Sequence, residues 1–381
     1  MNVIYVANTR LPTEMAHGLQ IMKMCEAFAR NGLELELVVP VRFSISKLGG
    51  KDPFKYYNVD KNFKIKRIFC FDLTPLNKFL GPISFLIQTL SFSFFSSAYL
   101  FFKKTGIIYS RDRFSLFFIS FFKKNIFYEV HRIHKFLFKF ILKKAVKIIV
   151  ISEGIKNSLT KKGISKDKIL VAKDSIDLKD FNINFNKSYC REKLNLPTDK
   201  KLILYTGHLY KWKGVETLAE SSKFLDNNIK IVIVGGIAWY LDNFKNFVKR
   251  KNLKNIIILG HQDYSKIPYF LKAADCLVLT GTKKSDVSQY QTSPMKMFEY
   301  MASSQPIVAS DLSSFREVLN EDNALLVKSD DPEMMALGIK KVLNDTGLAK
   351  KISEQAYKDV QNYTWGNRAK KILEFIAKNY L

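Results

Sequence analysis

The chain has 381 residues, 47% of them hydrophobic, which is enough for two packed domains and excludes disordered and collagen-like classes. Sixty-one Lys and Arg stand against 35 Asp and Glu, a net charge of +26, and such an excess asks for an anionic partner. Four widely spaced cysteines, Cys25, Cys70, Cys190 and Cys276, speak against a zinc site or disulfide framework and for a reducing compartment.

The charge is uneven. Residues 1–175 hold 30 basic and 12 acidic residues, against 31 and 23 in the rest, and many of the 31 Phe lie between Phe79 and Phe140. A basic, Phe-rich half suggests an anionic membrane surface. A Lys-biased composition without functional meaning is the bland alternative, and nucleic acid is the weakest reading.

In chain order, Val3–Ala7 reads as a buried strand at once, with no charged segment before it, so no signal peptide is expected. Apolar residues at helical spacing mark a helix over Gln20–Arg30, ended by Asn31–Gly32, and Leu33–Val39 is the next strand. This βαβ alternation predicts a parallel sheet covered by helices. Residues 79–102 run 24 positions without a charge, long enough to span a bilayer. Five Ser, a Thr and a Gln within them, and a sheet strand at Gly106–Ser110, favour a buried or membrane-docked helix instead. Lys135, Lys139, Lys143 and Lys147 recur every four residues, as one basic stripe on a helix would. That stripe fits either a solvated face or a helix lying on anionic headgroups. A strand follows at Val146–Ile151. Residues 184–201, polar and rich in Lys and Asn, read as a linker. Further strands are expected at Lys201–Thr206, Ile229–Val234, Ile256–Leu259, Cys276–Leu279 and Pro306–Ala309. Two doubly wound halves in tandem predict an interdomain cleft, with ligands beyond the carboxyl ends of the strands.

Two segments carry chemistry. Gly207–Gly214, GHLYKWKG, follows a strand and opens a helix, so His208 and Lys213 are offered with helix-start amides to a phosphate. Alone this is weak, because Lys–Gly at a helix start is common. Thr292–Ser310, TSPMKMFEYMASSQPIVAS, places Thr292 and Ser293 as caps of a short helix whose first amides point at an anion. Glu299 lies within that helix among Met297, Phe298 and Met301, and a carboxylate there can accept from the two hydroxyls of a ribose. No GxGxxG, Walker A, GxSxG, HExxH or DxD pattern occurs, and the missing DxD argues against a metal bridging a diphosphate.

The whole chain resembles the retaining glycosyltransferases of the GT-B fold, most closely glycosyltransferase family 4. The matching segments, in order, are AHGLQIMKMCEAFARNG, IIYSRD, YEVH, VISEGIKNSL, YTGHLYKWKGVETL, IVIVGG, ILGHQDYSKIPYFLKAADCLVL, FEYMA and YTWGNRAKKIL. The resemblance implies an α/β architecture of two Rossmann-like doubly wound domains facing across a cleft. The expected division is an acceptor-binding domain at 1–183, a linker at 184–200 and a nucleotide-sugar-binding domain at 201–364, with a helix at 365–381 packing back on the first domain.

The family's glycine loop after the first strand, which meets acceptor and donor diphosphate, falls on His17 and Gly18. Its histidine near the reacting centre falls on His131, against the bland reading of a satisfied strand end. Its basic pair on the diphosphate falls on His208 and Lys213, with His in place of the usual Arg. Its paired glutamates fall on Gln291 and Glu299, so the first is an amide here. Ser293, Pro294, Met295 and Lys296 would hold the diphosphate at the helix start. Arg111 and Asp112 would line the acceptor side, unless they are a surface ion pair.

The implied function is transfer of a sugar, with retention, from a nucleotide-diphosphate sugar to a hydroxyl of a lipid-linked glycan or glycolipid in cell-surface polysaccharide synthesis. No cofactor, metal or nucleic acid is expected. His131, Gln291 and Lys213 would carry the chemistry, and the protein would sit in the cytoplasm, peripheral on the membrane. The competing readings are a nucleotide-sugar epimerase of the same fold and a non-catalytic sugar-nucleotide-binding homologue.

Overall fold

Continuous apolar runs such as Val3–Val6, Ile148–Val150 and Ile231–Val234 are buried along their length, which is what a parallel sheet covered on both faces demands. The computed structural model describes residues 2–43, 48, 50–104 and 106–378. The chain divides into two units. Unit 1 is Met1–Ile151, Ile155–Lys173 and Trp365–Leu381, and unit 2 is Ser152–Gly154 and Asp174–Thr364.

Among the described residues, unit 1 holds seven parallel strands: β1 (Asn2–Val6), β2 (Glu34–Pro40), β3 (Lys64–Ile68), β4 (Ile107–Ser110), β5 (Ile126–Val130), β6 (Lys147–Val150) and β7 (Ile169–Val171). Their order is β3-β2-β1-β4-β5-β6-β7. Unit 2 holds β8 (Lys201–Thr206), β9 (Ile229–Val234), β10 (Ile256–Gly260), β11 (Cys276–Leu279), β12 (Ile307–Ser310) and β13 (Leu325–Val327), in the order β10-β9-β8-β11-β12-β13. Both sheets therefore reverse strand order beside their first strand, between β1 and β4 and between β8 and β11. In open α/β sheets that reversal opens the crevice where ligands bind.

Helices Ala16–Arg30 and Trp365–Ala377 pack against one another in unit 1. The last of these covers most of the helix expected at 365–381, of which 379–381 lie outside the described residues. Helices Pro82–Phe101, Arg113–Ile119 and Phe138–Lys144 contribute to a single core with β1, β4, β5 and β6.

Two expectations are corrected. Residues 184–200 are not a linker, and the passage between units falls at Lys173–Asp174. Asn186 caps a Lys187–Lys193 helix by accepting from Tyr189 N at 2.9 Å. Within that helix Arg191 is buried, donating to Asp275 Oδ2 at 2.6 Å and to Ala273 O at 2.9 Å. The Lys/Asn composition reflects only the solvated side of this helix.

The four-lysine stripe also fails. The helix is only Phe138–Lys144, so Lys135 precedes it and Lys147 lies in β6, buried, with its Nζ donating to Asp167 O at 2.7 Å. A period of four carried through a loop and a strand does not describe one surface.

Candidate functional site

In unit 2, β8 delivers the chain to Gly207 and His208, and a turn at Lys211–Lys213 leads into the Val215–Ser221 helix. Gly214 sits at φ +67 with its Cβ position 2.7 Å from Gly281 O, so a side chain is excluded both by conformation and by the close approach of the loop after β11. Thr280, just after β11, donates its hydroxyl to Lys213 O at 2.6 Å. The turn bearing Lys213 is thereby fixed at the crevice.

Lys213 lies beside Trp212, its Nζ 4.0 Å from the ring centroid. Desolvation lowers its pKa to about 8, partly opposed by the carboxylate of Asp174. Lys296 is buried, and its Nζ has no hydrogen-bond partner. The Lys296 ammonium lies 3.6 Å from the Tyr205 ring centroid. Burial first, and then the charge of Lys213, push its pKa well down, against the pull of Glu299. Glu299 is buried too, accepts from Tyr264 OH at 3.2 Å, and is raised by burial to about 7. Lys213, Lys296 and Glu299 thus form one desolvated, electrostatically coupled cluster, in which burial works against the charged form of each and an anionic ligand would favour the charged lysines.

His208 stacks on Tyr210, which stacks on Trp212, with centroids 5.1 and 6.1 Å apart. Gln291 ends the short Asp286–Tyr290 helix. The caps expected for the Met295–Ala302 helix are not formed. The N-cap is Pro294, without a side-chain bond, and the Ser293 hydroxyl accepts instead from Asp174 N at 3.1 Å. The first-turn amides at Met295 and Lys296 are therefore not occupied by a capping side chain.

In unit 1, Glu129 at the end of β5 is wholly buried and gathers a network. Arg368 Nη2 at 2.8 Å, Gln20 Nε2 at 2.9 Å and Tyr109 OH at 2.6 Å donate to it, and His131 Nε2 lies 2.6 Å from its Oε1. Burial opposes ionisation here, but the charges of Arg368, His131 and Arg111 hold this carboxylate well below its usual range. Arg111 joins through Gln20, donating to Oε1 at 2.7 Å. His131 and Arg111 are therefore brought together.

His17 Nε2 lies 2.8 Å from Thr9 Oγ1 on the loop after β1. Gly18 is buried where a Cβ would fall 2.3 Å from Tyr57 OH, so the structure uses it to seat that tyrosine. Asp112 is the N-cap of the Arg113–Ile119 helix, accepting from Phe114 N and Ser115 N at 3.2 and 3.3 Å, and burial raises its pKa. It does not form an ion pair with Arg111 among the contacts described.

Sequence reasoning missed Glu129, Arg368, Gln20 and Tyr264. The signal for Glu129 was present: a carboxylate two residues before a candidate histidine in an otherwise apolar strand needs partners.

Residues 187–359, within unit 2, match the family model for glycosyl transferases group 1. An uncharacterized glycosyltransferase of Methanocaldococcus jannaschii is 28% identical over 60% of this chain and 58% of its own length. The O-antigen chain mannosyltransferase RfbU of Salmonella typhimurium is 26% identical over 58% of each chain. The chain thus spans about three fifths of the length of the curated relatives it matches. Among solved structures, Anabaena HepE in complex with UDP-glucose superposes with a TM-score of 0.77 at 14% identity, over 99% of this chain and 100% of that one. Sucrose-phosphate synthase from Thermosynechococcus elongatus gives 0.76 at 18% identity, over 100% and 99%. Residues 187–359 thus resemble the glycosyl transferases of group 1, and the chain along its whole length has the GT-B fold of these solved neighbours.

Proposed function

We propose that the protein transfers a sugar, with retention of configuration, from a nucleotide-diphosphate sugar to a hydroxyl of a lipid-linked glycan or glycolipid in cell-surface polysaccharide synthesis. The observation that carries the reading is the buried Lys296 Nζ, without a hydrogen-bond partner and within electrostatic reach of Lys213, at the crevice of the unit 2 sheet. A bound diphosphate would favour the charged form of both lysines and be held by them, and the chemistry then follows. When the sugar leaves, negative charge grows on the β-phosphate, and Lys213, Lys296 and the amides of Met295 and Lys296 stabilise it. No metal is required for that step.

Glu299, once ionised, accepts from the ribose hydroxyls. Gln291 holds a hydroxyl of the transferred sugar, and His208 flanks the diphosphate. In unit 1, His131, held by Glu129, takes a catalytic role in the transfer, and His17 and Arg111 bind the acceptor. Relatives named for O-antigen and teichuronic acid synthesis support a glycan acceptor, and solved neighbours holding UDP and UDP-glucose support a nucleotide-sugar donor.

The test is a panel of nucleotide sugars incubated with and without a membrane lipid extract. Release of nucleoside diphosphate only with the extract, together with sugar on extracted lipid, is the expected result. Conversion of a nucleotide sugar without acceptor would make the protein an epimerase. Tight nucleotide-sugar binding without any turnover would make it a binding homologue.

A further inference from the structure

We infer that the outer surface of the Pro82–Phe101 helix and the aromatic residues beside it is the face by which unit 1 lies on an anionic lipid bilayer. The helix is amphipathic with its faces exchanged. Ser84, Gln88, Thr89, Ser93, Ser96 and Ser97 are buried together with Phe92 and Leu100, whereas Ile83, Phe85, Leu86, Leu90, Phe94 and Phe101 are exposed. A helix on a water-facing surface has the opposite arrangement.

The buried polar groups are satisfied. Gln88 Nε2 donates to Asn8 Oδ1 at 2.9 Å, Ser84 Oγ to Gly81 O at 2.8 Å and Ser97 Oγ to Ser93 O at 2.7 Å, while Ser93 and Ser115 hydroxyls meet at 3.3 Å. The serines thus let the Arg113–Ile119 helix approach closely. Turning the helix to hide Phe85, Phe94 and Phe101 would strand these bonds.

The apolar surface continues beyond the helix. Phe69, Phe71 and Phe95 stack edge to face at 5.2 to 6.0 Å, and Phe101 meets Phe122 at 5.4 Å. Phe79 and Phe102, at its two ends, are 89% and 87% exposed. Soluble monomers rarely leave so continuous an apolar surface uncovered.

Charge names the occupant. From Leu73 to Ser152 the chain has thirteen Lys and Arg and two acids, Asp112 and Glu129. Both acids are turned inward, the first capping a helix and the second in its buried network. Lys78, Lys104, Lys124, Lys139 and Lys143 are exposed. A second copy of the chain would set these cations against their like, which is costly. An anionic bilayer meets both features, taking the Phe side chains into the headgroup–acyl boundary and the Lys charges at the phosphates. The helix also meets the length and hydropathy of a span, yet 44% of its most apolar stretch is buried within the protein, which commits it to the surface.

The test is co-sedimentation of the full chain, without nucleotide sugar, so that its outcome is independent of the transferase reading. Vesicles are phosphatidylcholine alone or phosphatidylcholine with phosphatidylglycerol. The wild type is expected to pellet with the anionic vesicles and to be released by salt. The triple variant Phe85→Ser, Leu90→Ser, Phe94→Ser and the pair Lys139→Glu, Lys143→Glu should each bind at least about tenfold more weakly. Circular dichroism checks their folding, and Phe94→Ser alone replaces the triple variant if it fails to fold. Wild type left in the supernatant with both vesicles, or all variants pelleting equally, overturns the inference. Resistance of the wild type to carbonate would make the helix a span. A dimer without vesicles that the Phe substitutions break would make the face a contact between copies. Either result also overturns the proposal.

Discussion

Glu299 and Lys213 titrate close together, and in the proposed donor site their order sets a pH optimum for donor use. Glu299, raised by burial to about 7, is protonated below that value and cannot accept from two ribose hydroxyls. Lys213, lowered by desolvation to about 8, loses its charge above that value and its attraction for diphosphate with it. kcat/KM for the donor should therefore be bell-shaped, rising through about pH 7 and falling above about pH 8. Glu299→Gln should flatten the acidic limb and keep the basic one. A profile without an acidic limb in the wild type would remove Glu299 from donor binding. By the same logic Glu299→Ala should cost about 1.5–3 kcal/mol of donor affinity, read by calorimetry. Lys213→Ala should lower kcat/KM at least about 100-fold, and activity should survive EDTA, because the charge on the leaving group falls to lysines and amides. Much of this was legible in the residues, since Lys213 and Glu299 stand in recognisable segments. The Lys296 side chain was not, because a lysine flanked by methionines gives no hint that its ammonium is buried against Tyr205 rather than solvated. The capping role of Asp112 was hidden for a related reason: a strand-end Arg-Asp pair and a helix cap look alike until the next helix is placed.

At the scale of an element, the exchanged faces of the Pro82–Phe101 helix predict opposite responses to similar substitutions. Ser93→Leu forces volume into the interface with the Arg113–Ile119 helix and should destabilise by about 1–3 kcal/mol. Phe94→Ser, one residue on, removes an exposed ring and should change stability by about 0.5 kcal/mol or less. Urea unfolding of both variants checks this, and the reverse ranking would mean that the helix is oriented the other way. The parallel strands were legible because buried strands are runs of Val, Ile and Leu with no competing pattern. The orientation of this helix was less so. Residues 79–102 read as apolar by composition, and only the 3.6-residue recurrence of Ser84, Gln88, Ser93, Ser96 and Ser97 betrays which side faces the protein. The Lys187–Lys193 helix was hidden by the same averaging, its buried Arg191 outnumbered by solvated neighbours.

On the scale of the whole molecule, the division of the chain is asymmetric, and that asymmetry is testable. Unit 2 is nearly continuous, Asp174–Thr364 with three residues from elsewhere, and it contains its own two cores on either side of its sheet. Unit 1 depends on the far end of the chain. Trp365 is buried in it, and Arg368 donates to Glu129 and to the backbone at Lys173 O, the latter at 2.8 Å. Removing one partner of a buried ion pair leaves a charge in low dielectric, so Arg368→Met should destabilise by about 3–5 kcal/mol. Glu129→Gln added to it should restore a good part of that loss, because no uncompensated charge then remains. A fragment of residues 174–364 should accordingly fold in one cooperative transition and be stabilised by nucleoside diphosphate, since Lys213, Lys296, Glu299 and Tyr264 are all within it. A chain ending at 364 should keep that nucleotide-responsive transition and lose the unfolding transition of unit 1, which returns when 365–378 are supplied. Calorimetry of the full chain, the fragment and the truncated chain distinguishes the cases. If the truncated chain loses both transitions together, the two units are a single cooperative body and the Glu129–Arg368 pair is not what ties unit 1 to the C-terminal helix.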